Sequence, residues 1–142
     1  MLLPDVNVLL AAFRPDHAHH GVARAFLEVA RGGPTPVGLS DVVLSGVVRL
    51  ATSSCVFTRP DTTGAVLDYV DVLLDAPALL VTAGPSHWAH FTGLCRTLVL
   101  RGNLVPDAYL AALALDQGAE FVTLDRGFAR YPHLRRRCLL DE

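Results

Sequence analysis

The chain contains no lysine; all twelve of its basic residues are arginine. That absence counts against phosphohydrolases that pair a nucleophilic Asp with a positioned lysine. Cysteine is scarce and odd in number, with Cys55, Cys95 and Cys138 widely spaced. No Cys-x-x-Cys pair occurs, so neither a thiolate metal site nor a disulfide framework is expected, and the thiols suit a reducing compartment. No apolar run approaches the length that spans a bilayer. The opening MLLPDVN has no basic leader region. A cytoplasmic protein without a membrane anchor is therefore expected. Neither a G-x-G-x-x-G nor a P-loop pattern is present, which argues against dinucleotide or nucleoside triphosphate binding. No Ser-His-Asp or Cys-His spacing stands out, and there is no repeat, linker or low-complexity segment. An excess of either charge is missing too: the net charge is −2. Nucleic-acid binding, if present, must come from a local cluster and not from a basic total.

What is present is a globular composition. The 142 residues are 51% apolar and 18% charged, enough for one domain, residues 1–142, with a substantial core. The arginine-only basic set has two readings. GC-rich coding favours arginine codons, and arginine also makes bidentate contacts with phosphate oxygens.

In chain order, Leu2–Val6 reads as a short buried strand that ends at Asp5 and Asn7. Val8–Phe13 is helical, with Asn7 as a cap. A second helix runs from Asp16 or His17 to about Arg31 on an apolar stripe through Val22, Phe26 and Val29. His17, His19 and His20 invite a metal reading, but i, i+2, i+3 spacing does not aim three imidazoles at one point, and exposed helix-start histidines are expected. Pro36–Leu39 is a strand. Ser40 caps a helix from Asp41 to about Thr52. Ser53–Pro60 is a loop with an extended piece at Cys55–Phe57, and Asp61 or Thr62 caps a helix over Thr63–Leu74, with Asp68 and Asp71 solvated. Ala78–Val81 is a strand. The helix after Gly84-Pro85-Ser86 carries Trp88 and Phe91 as core residues. Pro106 suits the first turn of the next helix, which ends at Gly118. Phe121–Leu124 is a buried strand closed by Asp125, and Arg126–Tyr131 is a short helical turn. Strands alternating with helices imply α/β architecture with a mostly parallel sheet covered on both faces.

Asp5 and Asp125 each close a strand, and Asp107 lies in the first turn of a helix. In open α/β sheets ligands bind at the carboxyl ends of strands. If the two strands are neighbours, the three carboxylates meet at one edge. Such a cluster needs a cation or shared protons. Oxygen-only ligands select hard cations, Mg²⁺ or Mn²⁺. A site of this kind binds phosphate oxygens and activates water. Thr123 shares a strand face with Asp125 and can orient a carboxylate.

These residues carry a family resemblance. LLPDVNVLLAAF, LSDVVLSGVVRLAT, RGNLVPDAYLAALAL and FVTLDRGFARYPHL, in that order, resemble the PIN domain, specifically the toxin ribonucleases of bacterial VapBC toxin–antitoxin modules, and the arginine-only basic set is similar to that of the family's actinobacterial branch. The resemblance covers essentially the whole chain, and D-A-x-L-A-A-L-A followed by T-x-D-x-x-F is its most specific part. It implies a three-layer α/β/α sandwich and a Mg²⁺- or Mn²⁺-dependent endoribonuclease acting on structured RNA of the tRNA or rRNA class. It also implies a homodimer and a cognate VapB-type antitoxin. Asp5, Asp107 and Asp125 become the catalytic, metal-binding acids, with Asn7 and Thr123 as supporting hydrogen-bonders.

One position departs from the family pattern. A glutamate is usual on the middle helix, near Ser45 or Gly46 here, and neither has a carboxylate. Asp41, one helical turn earlier, is the candidate substitute, although a first-turn acid is also favoured by the helix dipole. Arg101, Arg126 and Arg130 are the arginines nearest in sequence to the acids and the candidate RNA contacts. Because the glutamate is missing, a catalytically weak or silent PIN-like module that binds RNA or protein is the alternative reading.

Overall fold

Each strand is three or four residues long, so the sheet is only as deep as the apolar run that each strand contributes. The computed structural model describes residues 1–75 and 77–142. β1 (Leu2–Pro4) leads into α1 (Val6–Phe13) and α2 (His20–Gly32). β2 (Gly38–Ser40) leads into α3 (Asp41–Ala51) and α4 (Thr63–Leu74). β3 (Leu79–Val81) is followed by α5 (His87–Thr97) and α6 (Leu104–Gln117). β4 (Glu120–Thr123), a 3₁₀ turn (Arg126–Arg130) and β5 (Arg136–Cys138) close the chain.

β1 pairs with β4 and β4 with β5, all in parallel, and β2 pairs in parallel with β3. A single parallel bridge, Leu2 to Val37, joins the two sets, and the Leu2 N–H donates to the Pro36 carbonyl at 2.9 Å. The strands therefore follow the order β3-β2-β1-β4-β5. Right-handed crossovers place α1 to α4 on one face and α5 and α6 on the other. The packing agrees: α1 rests on α2 and α3, α3 on α4, and α5 on α6.

Leu3, Phe121 and Val122 are fully buried between the layers. A large apolar side chain buried in this way contributes roughly 1.5–3 kcal/mol. His87 is buried as well. Its Nε2 lies 3.0 Å from the Tyr109 carbonyl and its ring meets Tyr109 edge-on at 4.2 Å, which pins α5 to α6. Gly118 ends α6 at φ 59°, with the Ala119 N–H bonded to the Ala114 carbonyl at 2.9 Å. A glycine takes that conformation without a Cβ clash.

Several local expectations shift. β1 stops at Pro4 because Asp5, and not Asn7, is the cap of α1: its carboxylate accepts from the Val6 N–H. α2 begins at His20, later than Asp16 or His17. Arg14 holds Asp16 out of the helix with 2.9 and 2.7 Å hydrogen bonds, while also bonding Asp61 at 2.7 Å and the Arg59 carbonyl at 2.8 Å. The same guanidinium lies 4.0 Å over the Phe57 ring. This buried arginine ties down the 53–60 loop, and Cys55–Phe57 forms turns, not an extended piece.

Ser40 precedes α3 without a side-chain capping bond, whereas Thr62 caps α4 by accepting from Ala65 N–H. Trp88 is not core: it is 66% exposed, and Phe91 is only partly buried. β5 lies in a tail with no apolar alternation to announce it; pairing with β4 makes it a strand. Among the described residues no helix is long and apolar enough to cross a membrane.

Candidate active site

The strand order reverses between β1 and β4, and this is the point where an open α/β sheet leaves a crevice at its carboxyl edge. Asp5 lies directly after β1 and Asp125 two residues after β4. The expectation that these strands are neighbours is met, in register Leu3 to Phe121 and Pro4 to Val122.

Thr123 is the hub of the site. Its hydroxyl donates to Asp5 Oδ2 at 2.7 Å and accepts from Asn7 Nδ2 at 3.2 Å and from the Asp125 N–H at 3.0 Å. Asn7 Oδ1 accepts in turn from the Leu124 N–H at 3.1 Å. Both ends of the Asn7 amide are thus used to stitch α1 to the end of β4. Asp5 Oδ1 accepts from the Val6 N–H at 2.7 Å, and Asp125 Oδ1 accepts from the Gly127 N–H at 2.7 Å. One threonine hydroxyl therefore links the Asp5 carboxylate to the backbone of Asp125, 120 positions further along the chain.

Asp5 is 5% exposed. Burial pushes its pKa up to about 6, opposed by the Thr123 and Val6 hydrogen bonds and reinforced by the charges of Asp107 and Asp125. Asp107 is half-buried. Its pKa is also raised, first by burial and then by Asp125, against the pull of Arg130. Asp5 thus feels the charges of Asp107 and Asp125, and Asp107 feels that of Asp125.

Their oxygen-only chemistry fits a hard divalent cation, and a buried carboxylate held above its ordinary range is what such a cation would relieve. Among the described residues, no three acids, imidazoles or thiols converge tightly enough to form a cage.

Asp41 is exposed, and its Oδ1 turns back to the Val42 N–H at 2.8 Å. The carboxylates that act on Asp5 are Asp107 and Asp125. At the place of the missing glutamate, Ser45 is exposed, and a Cβ on Gly46 would stand 3.0 Å from Val6 Cγ2. Val6, the residue after Asp5, fills the space there. His17, His19 and His20 do not assemble a metal site among the described residues. His20 Nδ1 is engaged by the Ala11 carbonyl at 2.8 Å.

Two features of the site have no signal in the sequence. Ser40 Oγ is fully buried without a hydrogen-bond partner. Counting on from the Leu2–Val37 bridge, Ser40 stands level with Asp5 at the carboxyl edge. In sequence it reads only as a helix cap. The second is a cleft of about 550 Å³ that gathers Arg101, Arg126 and Arg130 beside Leu98, Val99, Leu100 and Leu104. The arginines are legible singly, but their shared apolar wall is not.

The model of the PIN domain family matches residues 2–134. The chain belongs to the PIN domain family. Among PIN relatives, ribonuclease VapC43 of Mycobacterium tuberculosis strain H37Rv is 42% identical, the match covering 99% of this chain and 97% of that one. Ribonuclease VapC31 of the same strain is 35% identical over 95% of this chain and 96% of its own.

Solved structures share the fold at low identity. The toxin–antitoxin complex VapBC2 from Rickettsia felis, bound to a DNA fragment from its promoter, has a TM-score of 0.71 at 17% identity and covers 96% of this chain and 97% of its own. The sarcin–ricin loop cleaving toxin VapC20 of M. tuberculosis has a TM-score of 0.66 at 17% identity, covering 95% and 99%. The PIN assignment and the α/β fold with a parallel sheet, both expected from the motifs, are borne out.

Proposed function

We propose that this chain is the toxin of a VapBC-type module and that it hydrolyses RNA phosphodiester bonds with a divalent cation, Mg²⁺ or Mn²⁺, at Asp5, Asp107 and Asp125. The observation that carries this reading is the Thr123 hub. It joins Asp5, Asn7 and Asp125 at the sheet's switch point, in a chain 42% identical to a named VapC ribonuclease.

When bound, the cation would neutralise charge on the scissile phosphate and acidify a water. The protein's part is positioning. Thr123 and the Val6 N–H hold the Asp5 carboxylate in one orientation, and Asn7 keeps α1 from sliding against β4. Gly127 N–H fixes the Asp125 carboxylate, and Arg130 supplies positive potential near Asp107. Arg101, Arg126 and Arg130 would draw the RNA backbone toward that edge.

The partner we assign is a VapB-type antitoxin. A mainly apolar groove of about 740 Å³, lined by Phe13, Leu27, Tyr69 and Leu73 with Arg24 and Arg31 among its polar residues, offers the kind of surface that takes the apolar face of a helix. A homodimer, a cytoplasmic location and a structured RNA target of the tRNA or rRNA class belong to the same proposal.

The test is Mg²⁺-dependent cleavage of structured RNA by wild type and Asp107→Asn. Activity in the wild type that is lost in the variant supports the enzyme. Absence of cleavage in both favours the silent binding module, whose support is the missing carboxylate at Ser45 and Gly46.

A further inference from the structure

We propose that the cleft holding Arg101, Arg126 and Arg130 is a subsite for one nucleotide of the RNA, with Val99 as the wall against which its base packs. This rests on the ribonuclease reading above and assigns that reading a specific contact.

The cleft has two chemistries. Leu98, Val99, Leu100 and Leu104 form an apolar part, and the three arginines form a cationic one. A nucleotide has the same two parts, a flat base and an anionic phosphate, and single-stranded RNA is held by this combination. The volume of about 550 Å³ lies within the roughly 300–1,000 Å³ typical of small-ligand sites.

The arginines are not equivalent. Arg126 is compensated by Asp141 at 2.7 Å and by the Leu140 carbonyl at 2.7 Å. Arg130 Nε is committed to the Gly127 carbonyl at 2.9 Å. Arg101 is exposed and has no hydrogen-bond or ion-pair partner among the described residues, so it is the cation most free to meet a phosphate. The cleft also adjoins the acids. Gly127 lines it while donating its N–H to Asp125, and the Arg130 charge acts on Asp107.

Val99 is the independent observation. It follows α5 at φ 52°, left-handed backbone, with its N–H directed to the Arg96 carbonyl at 3.4 Å and the Leu100 N–H to the Cys95 carbonyl at 3.1 Å. This is the helix-ending position that glycine ordinarily takes, as Gly118 does for α6. A β-branched residue there is strained. Val99 gains no packing in return, since it is 73% exposed. Strain kept where the fold has no use for it, on the wall of a cationic cleft beside the acids, points to a ligand contact.

The experiment uses a pool of hairpin RNAs with randomised loops. Cleavage by wild type, Val99→Gly and Arg101→Ala is read by sequencing the cut ends. Binding is read with the same substitutions added to Asp107→Asn, so that it does not depend on cleavage. Val99→Gly is expected to raise the melting temperature by about 2–4 °C, because glycine relieves the strain. It should weaken RNA binding about fivefold and flatten the base preference at one position beside the cut. Arg101→Ala should leave that preference intact and reduce the salt slope of binding by about 0.7, one phosphate contact on a single strand.

A lower melting temperature for Val99→Gly, or unchanged binding and preference in both variants, overturns the subsite even if the wild type cuts RNA. Intact RNA binding with lost inhibition by the antitoxin assigns the cleft to protein and also overturns it. If the wild type cuts nothing but both substitutions weaken binding as stated, the subsite stands and the ribonuclease reading falls. If the pool is neither cut nor bound, both fall.

Discussion

Replacing Asp5 by asparagine removes a charge that the fold holds at a disadvantage, and the effect should depend on pH in a defined way. Folding raises the Asp5 pKa from 3.8 to about 6, mainly through burial. Between those values the folded chain binds a proton that the unfolded chain does not. The stability contributed by protonated Asp5 is fully present below about pH 4 and is lost as pH rises through about 6. The size of the loss is roughly 3 kcal/mol, an upper bound from one group.

Asparagine has no such dependence, but it carries a constant penalty. Its amide cannot satisfy both the Val6 N–H and the Thr123 hydroxyl, whose two acceptor positions are already filled by Asn7 and Asp125 N–H. One lost buried bond costs about 1–3 kcal/mol. Asp5→Asn should therefore be less stable than wild type near pH 4 and should draw level or overtake it above pH 7. The difference in melting temperature should swing by roughly 6–12 °C. Thermal unfolding of both proteins in chelator across that range is the assay. Comparing the two removes the opposing contributions of Asp16 and Asp116, whose pKa values are lowered. Mg²⁺ added above pH 6 should stabilise wild type and not the variant. A difference that stays flat with pH, or moves the other way, would refute the argument that Asp5 is a desolvated carboxylate.

Other outcomes follow from the same geometry. Thr123→Val keeps the side-chain shape but strands Asn7 Nδ2 and the Asp125 N–H, so urea denaturation should show a loss of about 2–4 kcal/mol, together with weakened Mg²⁺-dependent cleavage. Arg14→Ala removes the ties to Asp16, Asp61 and the Arg59 carbonyl. A cost of about 2–3 kcal/mol is expected, with faster proteolysis in the 53–60 loop; an unchanged cleavage pattern in that loop would count against its role as the anchor. Phe121→Ala, in the interior strand β4 and fully buried against Phe128, should cost about 3–5 kcal/mol in the same denaturation assay.

Much of the site is legible in the sequence, and the reason is chemical. An acid at the end of an apolar strand has few structural excuses, and Asp5 and Asp125 are both in that position. Asn7 reads both as a cap and as a supporting group. Its amide makes the supporting bonds, while the cap is Asp5. Asp41 is open to two readings along the chain. Its exposed carboxylate, folded back on the Val42 N–H, fits the ordinary first-turn acid. Trp88 follows helical spacing and is still exposed, because periodicity identifies a face without saying whether anything covers it.

By itself, then, the sequence determined the elements and their chemistry: strand–helix alternation, the helix end at Gly118, a cap at Asp61 or Thr62, the three acids and the family they resemble. These depend on local spacing and on the cost of burying charge, both of which are written along the chain. Only the tertiary structure decided which strands are neighbours, and with that the meeting of Asp5 and Asp125 on one threonine hydroxyl. It also turned a featureless tail into β5, left Ser40 buried without a partner, and set Val99 in a left-handed turn beside three arginines. Each of these is a relation between residues far apart in the chain or a backbone state that the side chain disfavours. Neither has a local signature, because it is the packing of the whole sheet that imposes it.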